Sequence, residues 1–113
     1  MANPQKENGF TPIASELVEA LAEINLSAYE SRILWALFRK TYGWHKKADR
    51  VSRSQFAEIT GLDPRHISRT LANLLSRNII IKKAVSPQVV IYSIQKDYTL
   101  WKPSRDKDTA HPF

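Results

Sequence analysis

The densest run of chemistry-bearing side chains is Asp63 to Arg77, which reads DPRHISRTLANLLSR. At 100° per residue, Ile67, Leu71, Leu74 and Leu75 share one helix face, and Arg65, His66, Arg69 and Asn73 fall on roughly the opposite one. Ala72 and Ser76 lie on that second face, and no acid interrupts it. A guanidinium can give two donors to guanine O6 and N7, and a carboxamide can pair with adenine N6 and N7. The small residues between them would let such a helix enter a DNA major groove about 12 Å wide. The plainer alternative is a solvated helix face, or one that touches phosphates only.

Candidate phosphate contacts surround this segment. Ser52, Arg53 and Ser54 open a preceding helix, where unpaired backbone N–H groups favour an anion. Arg39, Lys40, Lys46, Lys47 and Arg50 flank a second helix and its connector, and Lys82, Lys83 and Gln88 belong to a hairpin. A lone lysine is usually solvated, so the cluster says more than its members. The 113 residues include 17 Lys or Arg against 11 Asp or Glu, a net charge of +6. The excess is local: residues 1–31 sum to −4, residues 32–83 to +9 and residues 84–113 to +1. A polarised field of this kind steers polyanions.

Other chemistry is not expected. With no cysteine, a disulfide scaffold and thiolate–zinc sites are excluded. His45, His66 and His111 lack metal-ligand spacing, and three glycines make no phosphate loop. Asp63, His66 and Ser68 have the side chains of a catalytic triad, but neighbours two apart on a helix diverge. No enzyme, metal or cofactor is expected. The N-terminus lacks the apolar core of a signal peptide, and no stretch approaches the roughly 20 apolar residues of a membrane helix. A cytoplasmic protein without a membrane partner is expected.

These side chains need elements to position them. Thr11 and Pro12 predict the start of a first helix over 12–23, with Ile13, Leu17, Ala20, Leu21 and Ile24 as its apolar stripe. Ser27 and Glu30 form a capping box for a second helix. Its buried face is Ile33, Leu34, Leu37, Phe38 and Tyr42, and Gly43 is its stop. Tyr42 and Trp44 are expected in the core rather than stacked on bases, and Trp35 over the first helix or at a dimer contact. A polar connector, 45–50, leads to a short strand at Val51. Ser52 and Gln55 cap a third helix bearing Phe56, Ala57 and Ile59, which Gly61 ends. Leu62 points inward, Asp63 caps the fourth helix, Pro64 opens it and Asn78 stops it. Ile79–Ile81 and Val89–Tyr92 predict an antiparallel hairpin, with a loop of several residues around Ser86 and Pro87. Residues 97–101 would pack back on the core. The expected division is a flexible segment over 1–10, one domain over 11–101 and a polar tail over 102–113. The fold class is mainly α with a small β-hairpin: a winged helix-turn-helix.

The stretches NGFTPIASELVEAL and RKTYGWHKKADRVSRSQFAEITGL resemble the N-terminal domain of the phage replication protein O family, the lambda-type initiators. The most specific piece is Arg39-Lys40-Thr41-Tyr42-Gly43-Trp44, followed by a polar loop ending in Asp49-Arg50. Ser52 to Gln55 matches the family's Ser-x-x-Gln before the third helix. The resemblance runs from about Asn8 to Trp101. It implies a phage or prophage protein that binds repeated duplex DNA sites at a replication origin as a homodimer. It also implies recruitment of the host replicative helicase through a separate, linker-joined C-terminal region, which is expected to be absent from these residues. The assignments of Arg65, His66, Arg69 and Asn73 come from helical geometry, not from the family motif.

Three functions compete on this evidence. The first is sequence-specific duplex binding for replication initiation. The second is a phage or prophage transcriptional regulator, which a lone promoter site would distinguish from clustered repeats. The third is a replisome protein-interaction module, which undetectable duplex binding at low salt would favour.

Overall fold

The computed structural model describes residues 1–104. It is mainly helical, with a small three-stranded antiparallel sheet: α1 (Ser15–Glu23), α2 (Ala28–Lys40), β1 (Ala48–Arg50), α3 (Arg53–Thr60), α4 (Pro64–Ser76), β2 (Ile80–Ser86) and β3 (Val89–Ile94). The strand order is β1-β3-β2. The core lies where α2, α3 and α4 meet the sheet. Ile33, Leu37, Phe56, Ile67, Leu74 and Ile79 are fully buried there.

The polar caps form where the sequence places them. Ser27 accepts from the Glu30 backbone N–H while the Glu30 carboxylate accepts from that of Ser27. Ser52 and Gln55 repeat the arrangement at α3. Gly61 ends α3 in the left-handed region at φ 72°, and Asn78 follows α4 at φ 61°. Leu62 is buried between α3 and α4, so the three-residue link from Gly61 to Asp63 is anchored by its own side chain.

Tertiary packing overrides the local signals in several places. The first helix begins at Ser15, not Pro12, and its cap residue Ala14 is extended, with no side-chain bond. Pro12 and Ala14 instead line a cavity with Tyr42. Gly43 is not a left-handed stop. It lies inside a 3-10 turn, Tyr42–Trp44, and the left-handed residue is His45, φ 56°. A Cβ on Gly43 would come within 2.9 Å of the Arg39 guanidinium and 3.1 Å of the Thr11 hydroxyl, so a side chain there would have to displace the end of Arg39. The first strand is Ala48–Arg50 rather than Val51, and it pairs with β3, adding a third strand to the expected hairpin. Val51 follows it, buried in the core. The hairpin is tighter than expected: Ser86 pairs with Val89, leaving only Pro87 and Gln88 in the turn, and a register shift between Ala84 and Ser86 displaces Val85. Ile59 is exposed, as is Trp44, which sits beneath the Arg39 guanidinium at 5.2 Å instead of in the core. Tyr42 does pack edge-on against Phe38. Trp35 meets Phe38 and borders a small cavity with Leu21 and Leu26, its side chain still largely exposed.

Trp101 packs on the core, its indole N–H donating to the Gln95 carbonyl at 2.8 Å. At this same corner the Lys102 backbone N–H donates to the Arg77 carbonyl, and the Arg77 Nε donates to the Lys102 carbonyl. Most of the expected tail, 105–113, lies outside the described residues, and so does His111. Among the described residues no helix is long and apolar enough to cross a membrane.

Candidate nucleic-acid interface

The exposed face of α4 is set by its buried one. Ile67, Leu71 and Leu74 are buried and Leu75 is half-buried, all toward the core. Rotation at 100° per residue then forces Arg65, Ser68, Arg69, Ala72, Asn73 and Ser76 outward, and all six are exposed. Arg69 makes no ion pair among the described residues. Arg65 does: its Nε and Nη2 donate to the Asp63 carboxylate at 3.1 and 3.3 Å, and its backbone N–H donates to the same carboxylate at 2.9 Å. The Arg65 side chain, then its backbone N–H, hold the Asp63 carboxyl below the ordinary carboxylate range, and Asp63 in turn raises the guanidinium. One side chain thus caps the helix and tethers the first arginine of the stripe.

His66 is set apart from the other three candidates. Its ring lies 4.9 Å from that of Tyr29 on α2, and it is half-buried. Thr70, one turn on, is buried on the same shoulder and donates to the His66 carbonyl at 2.6 Å. Asp63, His66 and Ser68 form no relay: Asp63 is taken by Arg65 and His66 by Tyr29.

Beside α4, a groove of about 520 Å³ opens between the start of α3 and the hairpin. Arg50, Ser52, Arg53, Ser54, Lys82 and Gln88 all line it, and no Asp or Glu does. Val90 and Tyr92 form its apolar floor, and desolvation there raises the Tyr92 phenol while nearby Arg53 opposes the shift. The Ser52 hydroxyl is committed to the cap and bonded to that of Ser54 at 3.0 Å. The backbone N–H groups that open α3 have no intrahelical acceptor, and their partial positive charge adds to that of Arg53.

The remaining candidates scatter. Strand pleating separates Lys82 from Lys83. Lys82 pairs with Tyr92 on the helix-facing side, whereas Lys83 pairs with Ile91 on the outer side. Lys46 and Lys47 line a different cavity, with Tyr42 and Lys96, and Lys46 is salt-bridged to Asp49 at 3.6 Å. Arg39 covers Trp44, and Lys40 is half-buried at the end of α2.

One basic residue of the middle segment is not on the surface at all. Arg77, closing α4, is 4% exposed. Its Nη1 donates to the Glu30 carboxylate at 2.8 Å, its Nη2 to the Asn25 carbonyl at 2.6 Å and its Nε to the Lys102 carbonyl at 3.1 Å. Glu30 was legible as a capping residue, but nothing local marks it as the partner of an arginine 47 positions away. Arg32 plays a similar structural part, donating to the Thr60 carbonyl at the end of α3.

The fold and site therefore define a small basic domain that presents a cation-bearing helix face beside a cationic groove. The chain belongs to the bacteriophage replication protein O family, whose model matches residues 3–101. It is 34% identical to replication protein 15 of Enterobacteria phage phi80 over 94 residues, covering 83% of this chain and 31% of that protein. It is 33% identical to DNA replication protein gp18 of Salmonella phage P22 over 96 residues, 85% of this chain and 34% of the relative. To replication protein O of Escherichia phage lambda it is 35% identical over 74 residues, 66% of this chain and 22% of the relative. The matched region is thus about a third or less of each relative. No solved structure matches the chain.

Proposed function

We propose that the chain is a winged-helix domain that binds duplex DNA sequence-specifically at a phage or prophage replication origin and acts, without enzymatic activity, in the initiation of replication. The observation that carries this reading is the stripe of Arg65, Arg69 and Asn73, free of acids and spaced by Ala72 and Ser76, on a helix whose other face is locked into the core. In this reading α4 enters the major groove, where Arg69 and Asn73 meet base edges. Arg65 reaches the DNA by exchanging Asp63 for a phosphate or a guanine. The hairpin is the wing, and Lys82, Arg53 and the N-terminus of α3 grip the flanking backbone. His66 acts through Tyr29, fixing the helix angle rather than reading a base.

The order α2, β1, α3, three-residue turn, α4, hairpin supports the winged-helix assignment. Kinship with proteins named for DNA replication supports the process. A homodimer on repeated sites and action in the bacterial cytoplasm are part of the proposal. Contact with the host helicase is assigned to none of the residues here.

Binding-site selection on random duplexes tests it. The expected result is one enriched motif, recurring as clustered repeats within a replication gene. Affinity should fall with salt at a log–log slope of order −5, for about six neutralised phosphates. Arg69→Ala should lose roughly 1–3 kcal/mol on the selected site and far less on random DNA. No enrichment, or equal losses on both, overturns the reading.

A further inference from the structure

The aromatic-basic string that follows α2 is left unused by the interface above. Thr41 to Lys47 folds as a tight turn: the Thr41 carbonyl accepts from the backbone N–H of both Trp44 and Lys46, at 3.0 and 2.8 Å. His45, held at φ 56°, then swings the chain so that Lys46 and Lys47 stand over a cavity of about 480 Å³. That volume is within the roughly 300–1,000 Å³ typical of small-molecule sites. Lys96, arriving after β3, is a third cation at the rim, and neither it nor Lys47 is ion-paired among the described residues. Two acids face them: Glu16, which already accepts from the Tyr98 hydroxyl at 2.5 Å, and Asp49, ion-paired to Lys46 at 3.6 Å.

The walls differ in character from the rim. Leu17 and Pro12 are apolar, and Tyr42 and Tyr98 offer aromatic surface. The Tyr42 hydroxyl oxygen is buried with no hydrogen-bond partner among the described residues. Burying an unmet hydroxyl is unfavourable, and phenylalanine would fill the same place against Phe38 without that cost. Desolvation raises the Tyr42 pKa, so the group keeps its proton, and with its oxygen closed off Tyr42 presents its ring to the cavity.

We propose that this cavity binds a nucleoside phosphate, as a unit of unpaired nucleic acid or as a free nucleotide. The base lies against the tyrosine-lined wall, and the phosphate is held by Lys47 and Lys96, with Lys46 joining by exchanging Asp49 for it. Cations that track a backbone beside aromatic rings that accept any base are the general recipe for single-strand binding. The groove beside α4 has the cations, but its one aromatic ring, Tyr92, is buried in its floor. The proposal does not rest on the duplex-binding reading.

Titrating the whole chain with labelled oligo(dT), and separately with thymidine monophosphate and inorganic phosphate, tests it. Saturable binding of oligo(dT) or of thymidine monophosphate is expected, tighter than inorganic phosphate, and whichever binds better identifies the source. Lys47→Glu/Lys96→Glu should weaken that binding about tenfold or more, and by a larger factor than it weakens duplex affinity. Tyr98→Ala, which removes the exposed ring of the same wall, should weaken it several-fold. Arg69→Ala should leave it unaltered, so that failure of the duplex reading is told apart from failure of this one. Absence of saturable binding by either probe, unchanged affinity in a folded Lys47→Glu/Lys96→Glu protein, or indifference to Tyr98→Ala overturns the proposal.

Discussion

The middle and the end of α4 carry the same side chain into opposite surroundings. At the middle, Arg69 stands exposed, with no carboxylate paired to it among the described residues. Two turns further, Arg77 is buried and gives three of its donors to Glu30, Asn25 and Lys102. Its guanidinium joins the α1–α2 loop, α2 and the segment after the sheet at one point. Arg65 is intermediate, exposed yet tethered to Asp63. The contrast teaches that the strongly basic middle of this chain is not one electrostatic surface. Part of the positive charge holds the fold together, and only what is left over is free for a polyanion.

Substitutions can break this contrast, and the largest effect belongs to the buried end. Arg77→Ala strands the Glu30 carboxylate in the core and should lower unfolding stability by about 3–5 kcal/mol, read by denaturant unfolding. Glu30→Gln/Arg77→Met should lose less than the sum of the two single changes, because neither partner is then left as an unpaired charge. Arg69→Ala should do the reverse, leaving stability within about 0.5 kcal/mol, as expected for an exposed site. Its effect belongs to site affinity alone.

Asp63→Ala sharpens the middle case. It removes the cap of α4 and releases Arg65, so the thermal midpoint should fall while non-specific DNA affinity rises. The pH dependence follows from the same carboxylate. Its folded pKa is depressed, so its contribution is present above the ordinary carboxylate range near 4 and is lost as pH falls through the folded value. The difference in thermal midpoint between wild type and Asp63→Ala should therefore be constant from neutral pH to about 5 and close below about 4. The smallest effect tests the sheet. Lys82→Ala should make the salt slope of duplex binding shallower by about 0.9, and Lys83→Ala, on the opposite face, should leave it unchanged.

Signals that act within one turn of helix were readable along the chain. Ser27 with Glu30, Ser52 with Gln55, Gly61, Asp63 with Pro64, and Asn78 all act through backbone groups a few positions away, and each occupies its expected place. The outward stripe of α4 was readable for the same reason, since the burial of three apolar side chains dictates the opposite face. Thr11 and Pro12 misled because a start signal competes with packing, and here residues 12 and 14 are drawn to Tyr42. Gly43 misled because the left-handed conformation falls to His45, two residues on, while the end of Arg39 lies over the glycine. Lys82 and Lys83 looked alike until a pairing register assigned them to opposite faces.

What the chain order determined unaided was the four helices and the hairpin, the caps of α2, α3 and α4, and the outward direction of Arg65 and Arg69. Period and capping chemistry are properties of near neighbours, so no long-range information was needed. Tertiary structure decided which cations remain free. Whether an arginine meets water or a carboxylate depends on residues tens of positions away, brought close only when the core closes. Arg77 and Glu30, His66 and Tyr29, and the gathering of Lys46, Lys47 and Lys96 around Tyr42 are all of that kind.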